Sequence, residues 1–214
     1  MEKKWNKKTL LVLMKWDYCD EKRGLSGDKY CFYDNFCKLV DTVEPFWYDE
    51  YINDIPKLQG ELLKKCKEVN PDLIFFIPYL NQFDVQILDT LKKNWVTCAW
   101  FGDDTWRFES YSSKLAPHFT HVCTTDAFSI DKYDKLGVNP ILTQWAAQGF
   151  QNLQQIPIDI KYEYDVSFVG AKNRVRQWFV NKLRDLGIKV ECFGFGWPVG
   201  KVNFEKMVGI FLKN

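Results

Sequence analysis

Thr9-Leu10-Leu11-Val12-Leu13-Met14 enters, after its threonine, an unbroken apolar run with no polar alternation. A strand buried on both faces reads this way, and such strands belong to parallel sheets with helices on either side. Working outward, a polar, glycine-containing loop follows over 15–29, then a helix around 30–40 and a second strand over 43–48. A helix over 55–69 places Ile55, Leu58, Leu62, Leu63, Cys66 and Val69 on one face. Asn70-Pro71-Asp72 punctuates before a third strand at 73–77. A helix at 84–93 leads to a fourth strand at 95–101, and the loop 102–106 precedes another helical stretch. A strand at 120–124, a helix near 129–136 closed by Gly137, and a strand at 140–143 continue the alternation. Six βα units of this kind predict an α/β fold with a complete Rossmann-like domain over 1–147.

Composition shifts next: 148–162 is Gln-rich, contains Pro157 and lacks a period, so it reads as a linker. A second, incomplete Rossmann-like domain is expected over 163–214, with a strand at 166–169, a helix from 174 to 186 and a strand at 188–193. Val175, Trp178, Phe179 and Leu183 form the expected apolar side of that helix. Asn203 reads as the N-cap of a last helix carrying Phe204, Met207, Val208 and Phe211.

The chain has 214 residues, 46% apolar and 27% charged, with a net charge of +1. Both signs are interleaved, so a nucleic-acid groove or a basic membrane patch finds no support. Seven cysteines form no CxxC pair and no metal-ligand spacing, which suits a reducing compartment. The apolar run 10–14 is too short for a signal segment, and no run approaches a membrane span. A cytoplasmic location is expected. Aromatics are abundant at 17%; most should be core, and a few can line a cleft and stack on rings.

Chemistry concentrates in three loops, each at the carboxyl end of a strand, where α/β sheets bind ligands. In Asp165-Val166-Ser167-Phe168-Val169-Gly170-Ala171-Lys172-Asn173-Arg174-Val175-Arg176, a strand ends in Gly and a cationic loop runs into a helix start. Helix N-termini favour anions, and Lys172, Arg174 and Arg176 supply counter-charge. A plain turn with solvated charges is the competing reading. Phe193-Gly194-Phe195-Gly196-Trp197-Pro198 is a tight turn that either walls the same pocket or is purely structural. In Trp100-Phe101-Gly102-Asp103-Asp104-Thr105-Trp106-Arg107-Phe108, the adjacent carboxylates can supply a general base or bind hydroxyls. Helix capping, a salt bridge to Arg107 and a divalent-metal pair compete with that role. Asp126 reads first as an N-cap, and His118 and His121 read as structural.

These blocks, with Thr124-Thr125-Asp126, Tyr133 to Gly137 and Val202 to Met207, resemble the CgeB-type (spore maturation protein) glycosyltransferases from about Pro71 onward. The resemblance implies a GT-B architecture: two Rossmann-like domains, acceptor on the first and nucleotide-sugar on the second, with no metal and no cofactor. By matching position it places Asp103 and Asp104 as catalytic candidates, and Trp106, Arg107 and Asp126 on the acceptor side. Gly170, Lys172, Arg174, Arg176, Gly194 and Gly196 then fall on the donor side, with Trp197 able to pack on a sugar. The family's second domain would continue for on the order of a hundred residues beyond 214, so a truncated or degenerate relative is expected. The alternative is a non-catalytic α/β module that docks a partner through its incomplete second domain.

Overall fold

A computed structural model describes residues 5–145 and 163–198. The chain divides into two compact units, 1–149 and 150–214. In the first, β1 (Trp5–Leu13), β2 (Val40–Trp47), β3 (Leu73–Phe76), β4 (Val96–Phe101), β5 (His121–Thr124) and β6 (Asn139–Leu142) form one six-stranded sheet. Its order is β2-β1-β3-β4-β5-β6, and every neighbouring pair is parallel. The fold is Rossmann-like α/β.

The apolar run sits where its composition demands. Leu10, Leu11, Val12 and Leu13 are all fully buried in a strand flanked on both edges. Alternate residues serve opposite faces: Leu10 and Val12 join one core cluster, Leu11 and Leu13 the other. Each such side chain contributes roughly 1.5–3 kcal/mol relative to exposure, as an upper bound. The two edge strands each carry a proline, Pro45 in β2 and Pro140 in β6, where a missing N–H breaks no ladder bond.

The first cluster is covered by α2 (Ile55–Val69) and α3 (Val85–Asn94), which follow the short α1 (Asp34–Leu39). Helix α2 has the bounds expected from sequence, because its ends are chemically marked. The Asp54 carboxylate accepts from Lys57 N at 3.1 Å, Pro56 occupies the first turn, and Asn70 closes it in a left-handed conformation (φ 44°). Leu58, Leu62, Cys66 and Val69 are buried, with Ile55 and Leu63 packed beside them. The second cluster is covered by the helical segment that begins with a wide turn at Asp28–Tyr33 and continues as α1, through Phe32, Tyr33 and Phe36.

Several boundaries differ from the sequence reading: β1 opens at Trp5 rather than Thr9, β8 opens at Val190 rather than 188, and most other strand ends move by a residue. Val40 opens β2 instead of ending the preceding helix, and helical structure begins at Asp28 rather than Tyr30. After β4 the motif loop turns helical at once as α4 (Asp104–Arg107), followed by a wide turn at Phe108–Ser112, α5 (Ser113–Leu115) and, beyond β5, α6 (Ile130–Lys135).

In the second unit, β7 (Val166–Val169) pairs in parallel with β8 (Val190–Phe193), joined by α7 (Arg174–Asp185). The buried position of α7 is Val180, with Leu183 partly buried against Val190 and Trp197. Val175, Trp178 and Phe179, expected on the apolar side, are 73%, 60% and 53% exposed. Three of the four residues chosen by period thus lie off the buried line, because a two-stranded sheet offers a helix only a narrow contact. The linker 148–162 and the helix expected after Asn203 lie outside the described residues. Among the described residues, no helix is long and apolar enough to cross a membrane.

Candidate functional site

The strand order reverses direction at β1, which is flanked by β2 on one side and β3 on the other. A crevice at the carboxyl ends of the strands next to such a switch point is where open α/β sheets bind ligands. A pocket of about 130 Å³ lies there, lined by residues that include Met14, Asp28, Tyr48, Tyr79, Trp100, Asp103, Arg107, Tyr111 and Trp145. It is smaller than the roughly 300–1,000 Å³ that engulfs a drug-sized ligand, and suits one small ring or a few hydroxyls.

Each wall follows from a strand end. The backbone leaving β1 is held by carboxylates: Asp28 Oδ2 accepts from Met14 N at 3.1 Å, and Asp49 accepts from Lys15 N and Trp16 N at 2.9 and 3.0 Å. The Ser26 hydroxyl donates to the Met14 carbonyl. Beyond β3, the carbonyls of Tyr79 and Leu80 accept from the Arg107 guanidinium (2.9 Å) and the Tyr111 hydroxyl (2.8 Å). Arg107 also lies 4.1 Å from the Tyr111 ring centroid, a cation–π contact that fixes the guanidinium in the pocket wall. Trp100 meets Trp145 edge-on at 4.7 Å and donates through Nε1 to Thr143 Oγ1 at 3.1 Å.

Tyr18 and Cys19 adopt left-handed backbone (φ 53° and 59°), and the Tyr18 ring stands edge-on to the lining residue Tyr79 at 5.7 Å. Two consecutive non-glycine residues in that region hold strain of about 1–3 kcal/mol each, which tends to collect at ligand-binding loops.

Electrostatics single out Asp28. Burial pushes its carboxyl up to about 7 against the partial relief of the Met14 amide, and the charges of Asp49 and Asp17 push it further in the same direction. Burial, then Asp49 and Asp28, raise the Cys19 thiol to about 11, so it stays protonated at neutral pH. The Tyr48 and Tyr111 hydroxyls are raised chiefly by burial and act as neutral hydrogen-bonding groups.

The paired aspartates of the motif part company. Asp103 is exposed and lines the pocket. Asp104 is 2% exposed and is not among the lining residues. Its Oδ2 accepts from Thr124 Oγ1 at 2.6 Å and from the Tyr133 hydroxyl at 2.7 Å. A base must reach the proton it removes, so this position corrects the expectation for Asp104 and makes it the anchor that ties α4 to β5 and α6.

Asp126 behaves as the cap it resembled, accepting from Phe128 N at 3.2 Å and Ser129 Oγ at 2.7 Å. It is buried and is not among the lining residues. Trp106 is 70% exposed and also outside the lining, while Arg107 is within it. His118 pairs with Asp89 at 2.7 Å and His121 with Asn139 at 3.1 Å, neither beside a nucleophile. Cys98 and Cys123 are buried on neighbouring strands with Sγ atoms 3.6 Å apart. Among the described residues, no group of three His, Cys, Asp or Glu could hold a metal ion.

In the second unit the two glycine loops close on each other. Gly170 N donates to Phe193 O and Lys172 N to Phe195 O, both at 2.8 Å. Trp197, buried, donates through Nε1 to Gly170 O at 2.9 Å, which makes it a structural tie rather than a platform open to a sugar. Gly194 (φ 125°) and Gly196 (φ 81°) hold backbone forms that favour glycine, and a Cβ on Gly194 would lie 2.5 Å from Gly170 O. Asn173 caps α7 through Arg176 N at 2.8 Å, and Arg176 donates to Ala171 O at 2.8 Å. Lys172 is half-buried, with its ammonium 5.8 Å from the Trp197 ring centroid, and Arg174 is exposed. Gly170, Lys172, Arg174 and Arg176 therefore cluster at one β–loop–α corner, with Gly194 and Gly196 packed against it.

Sequence reasoning passed over Asp28, Tyr48, Tyr79, Tyr111 and Trp145. The available signal for Asp28 was Gly24-Leu25-Ser26-Gly27-Asp28, the loop following the most buried strand. No protein-family model and no curated protein matches this sequence.

Proposed function

We propose that this chain carries the acceptor side, and the opening of the donor side, of a glycosyltransferase that moves a sugar from a nucleotide-sugar to a hydroxyl. The observation that carries the reading is the switch-point pocket. It combines carboxylates (Asp28, Asp103), a fixed guanidinium (Arg107) and aromatic walls (Tyr79, Trp100, Tyr111, Trp145) in a volume suited to a small polyhydroxylated group. Asp103 and Arg107 would bind acceptor hydroxyls. In the second unit, the first amides of α7 and the cations Lys172, Arg174 and Arg176 would stabilise the diphosphate as the sugar–phosphate bond breaks. Stabilisation by fixed donors requires no divalent ion.

Calorimetric titration of the full chain with UDP, GDP and dTDP tests the donor half. At least one diphosphate should bind, EDTA should leave the affinity unchanged, and Arg176→Ala should weaken it by about tenfold or more, the loss of one charge-assisted hydrogen bond. Equal affinity of wild type and Arg176→Ala would remove this support.

A further inference from the structure

Three carboxylates gather at the carboxyl end of β1, and they are not equivalent. Asp49 spends both oxygens on the amides of Lys15 and Trp16, and Asp17 pairs with Arg23 Nε at 2.9 Å. Asp28 accepts from Met14 N through Oδ2, while Oδ1 has no hydrogen-bond partner among the described residues. Asp28 also lines the pocket, alongside Asp103 and Arg107. We propose that Asp28 is the proton-accepting residue of this pocket, taking the proton of the seated ligand's hydroxyl onto Oδ1. The nature of the step rests on the glycosyl-transfer reading. The acceptor O–H bond breaks, its proton goes to Asp28, and its oxygen forms a bond to the anomeric carbon. The bond from that carbon to the diphosphate breaks, and the diphosphate leaves with the electron pair.

Asp28 suits this step better than Asp103 for a physical reason. Asp103 is exposed, and bulk water keeps its carboxylate solvated. Asp28 is half-buried and held in place by a backbone amide, and a base is most effective when its pKa lies near the working pH. The neighbouring groups agree. Asp49 and Asp17 oppose its ionisation, and the Cys19 thiol and Tyr48 hydroxyl are neutral at pH 7. Lys29, next in sequence, is engaged by Asp34 at 2.7 Å. The Arg107 guanidinium is directed to Tyr79 O. With its carboxyl near 7, Asp28 is ionised above that pH, so turnover should rise as pH climbs through about 7.

The test uses the full chain and two readouts. Water-soluble carbodiimide with glycinamide couples to protonated carboxyls, and peptide mass spectrometry reads the site. Asp28 should remain reactive up to about pH 7. Nucleoside diphosphate release from a panel of UDP-, GDP- and dTDP-hexoses should fall about a hundredfold or more in Asp28→Asn, the usual worth of a general base. The asparagine still accepts from Met14 N and removes a carboxylate that is costly to bury. The variant should therefore unfold at higher urea than wild type, by a margin that widens from about pH 4 and levels off above about pH 7. The native carboxyl titrates above the unfolded one, so wild type loses stability as pH rises through that window. Asp28 reacting only in acid, or wild-type turnover in Asp28→Asn, would overturn the proposal. If wild type turns over no member of the panel, glycosyl transfer fails, and the labelling curve still decides for or against Asp28.

Discussion

Asp104→Ala should cost about 2–4 kcal/mol of stability: the carboxylate holds two hydrogen bonds worth roughly 1.5–3 kcal/mol each, offset in part because its Oδ1 is buried without a partner. The partners cannot turn to water. Tyr133 and Thr124 are fully buried, so truncation takes away the oxygen that accepts both hydroxyl protons. Burial, reinforced by the Asp104 charge, holds the Tyr133 phenol far above its ordinary value, so Tyr133 donates at every accessible pH. Against a typical domain stability of about 5–15 kcal/mol, the loss would leave a fraction of molecules unfolded at 25 °C. Asp104→Asn retains an acceptor oxygen and should lose less. Urea denaturation followed by circular dichroism reads both variants. Equal midpoints for wild type and Asp104→Ala would mean that the carboxylate does not hold this corner.

The second large effect is expected at Gly194→Ala. The added Cβ would stand 2.5 Å from Gly170 O, a backbone atom, at a φ of 125° that alanine rarely adopts. Strain of about 1–3 kcal/mol from the conformation adds to a comparable cost for the contact. The relief route is to part the two loops, which breaks the bonds from Gly170 N to Phe193 O, Lys172 N to Phe195 O and Trp197 Nε1 to Gly170 O. Hydrogen exchange should show the Gly170 and Lys172 amides losing protection while β1 amides such as Val12 keep theirs. Unchanged protection at Gly170 would refute the packing described for these loops.

The fold was readable where local chemistry marks it. Asp54, Pro56 and Asn70 bracket α2, and the continuous apolar run 10–14 reads as a strand covered on both faces. Reading failed where the answer depends on distant partners. Adjacent aspartates look alike in sequence, yet Asp104 is claimed by hydroxyls 20 and 29 residues away and Asp103 by none of them. Asp28 becomes a pocket group only because β3 lies beside β1, a neighbour relation set by the crossover after β2. Helix α7 shows the same limit: the period located its apolar residues, but the two-stranded sheet beneath it selects Val180. At 40, no glycine, proline or polar cluster separates helix from strand, so the boundary there is fixed by pairing with β1.

We propose that the switch-point pocket seats the hydroxyl that receives the sugar. Steady-state release of nucleoside diphosphate from the nucleotide-hexose panel, comparing wild type with Asp103→Asn and Arg107→Gln, tests it most directly. Wild type should turn over, kcat/KM should fall about tenfold or more in each variant, and calorimetric affinity for the free diphosphate should stay unchanged. Turnover indifferent to both substitutions, or none with any nucleotide-sugar, would contradict it.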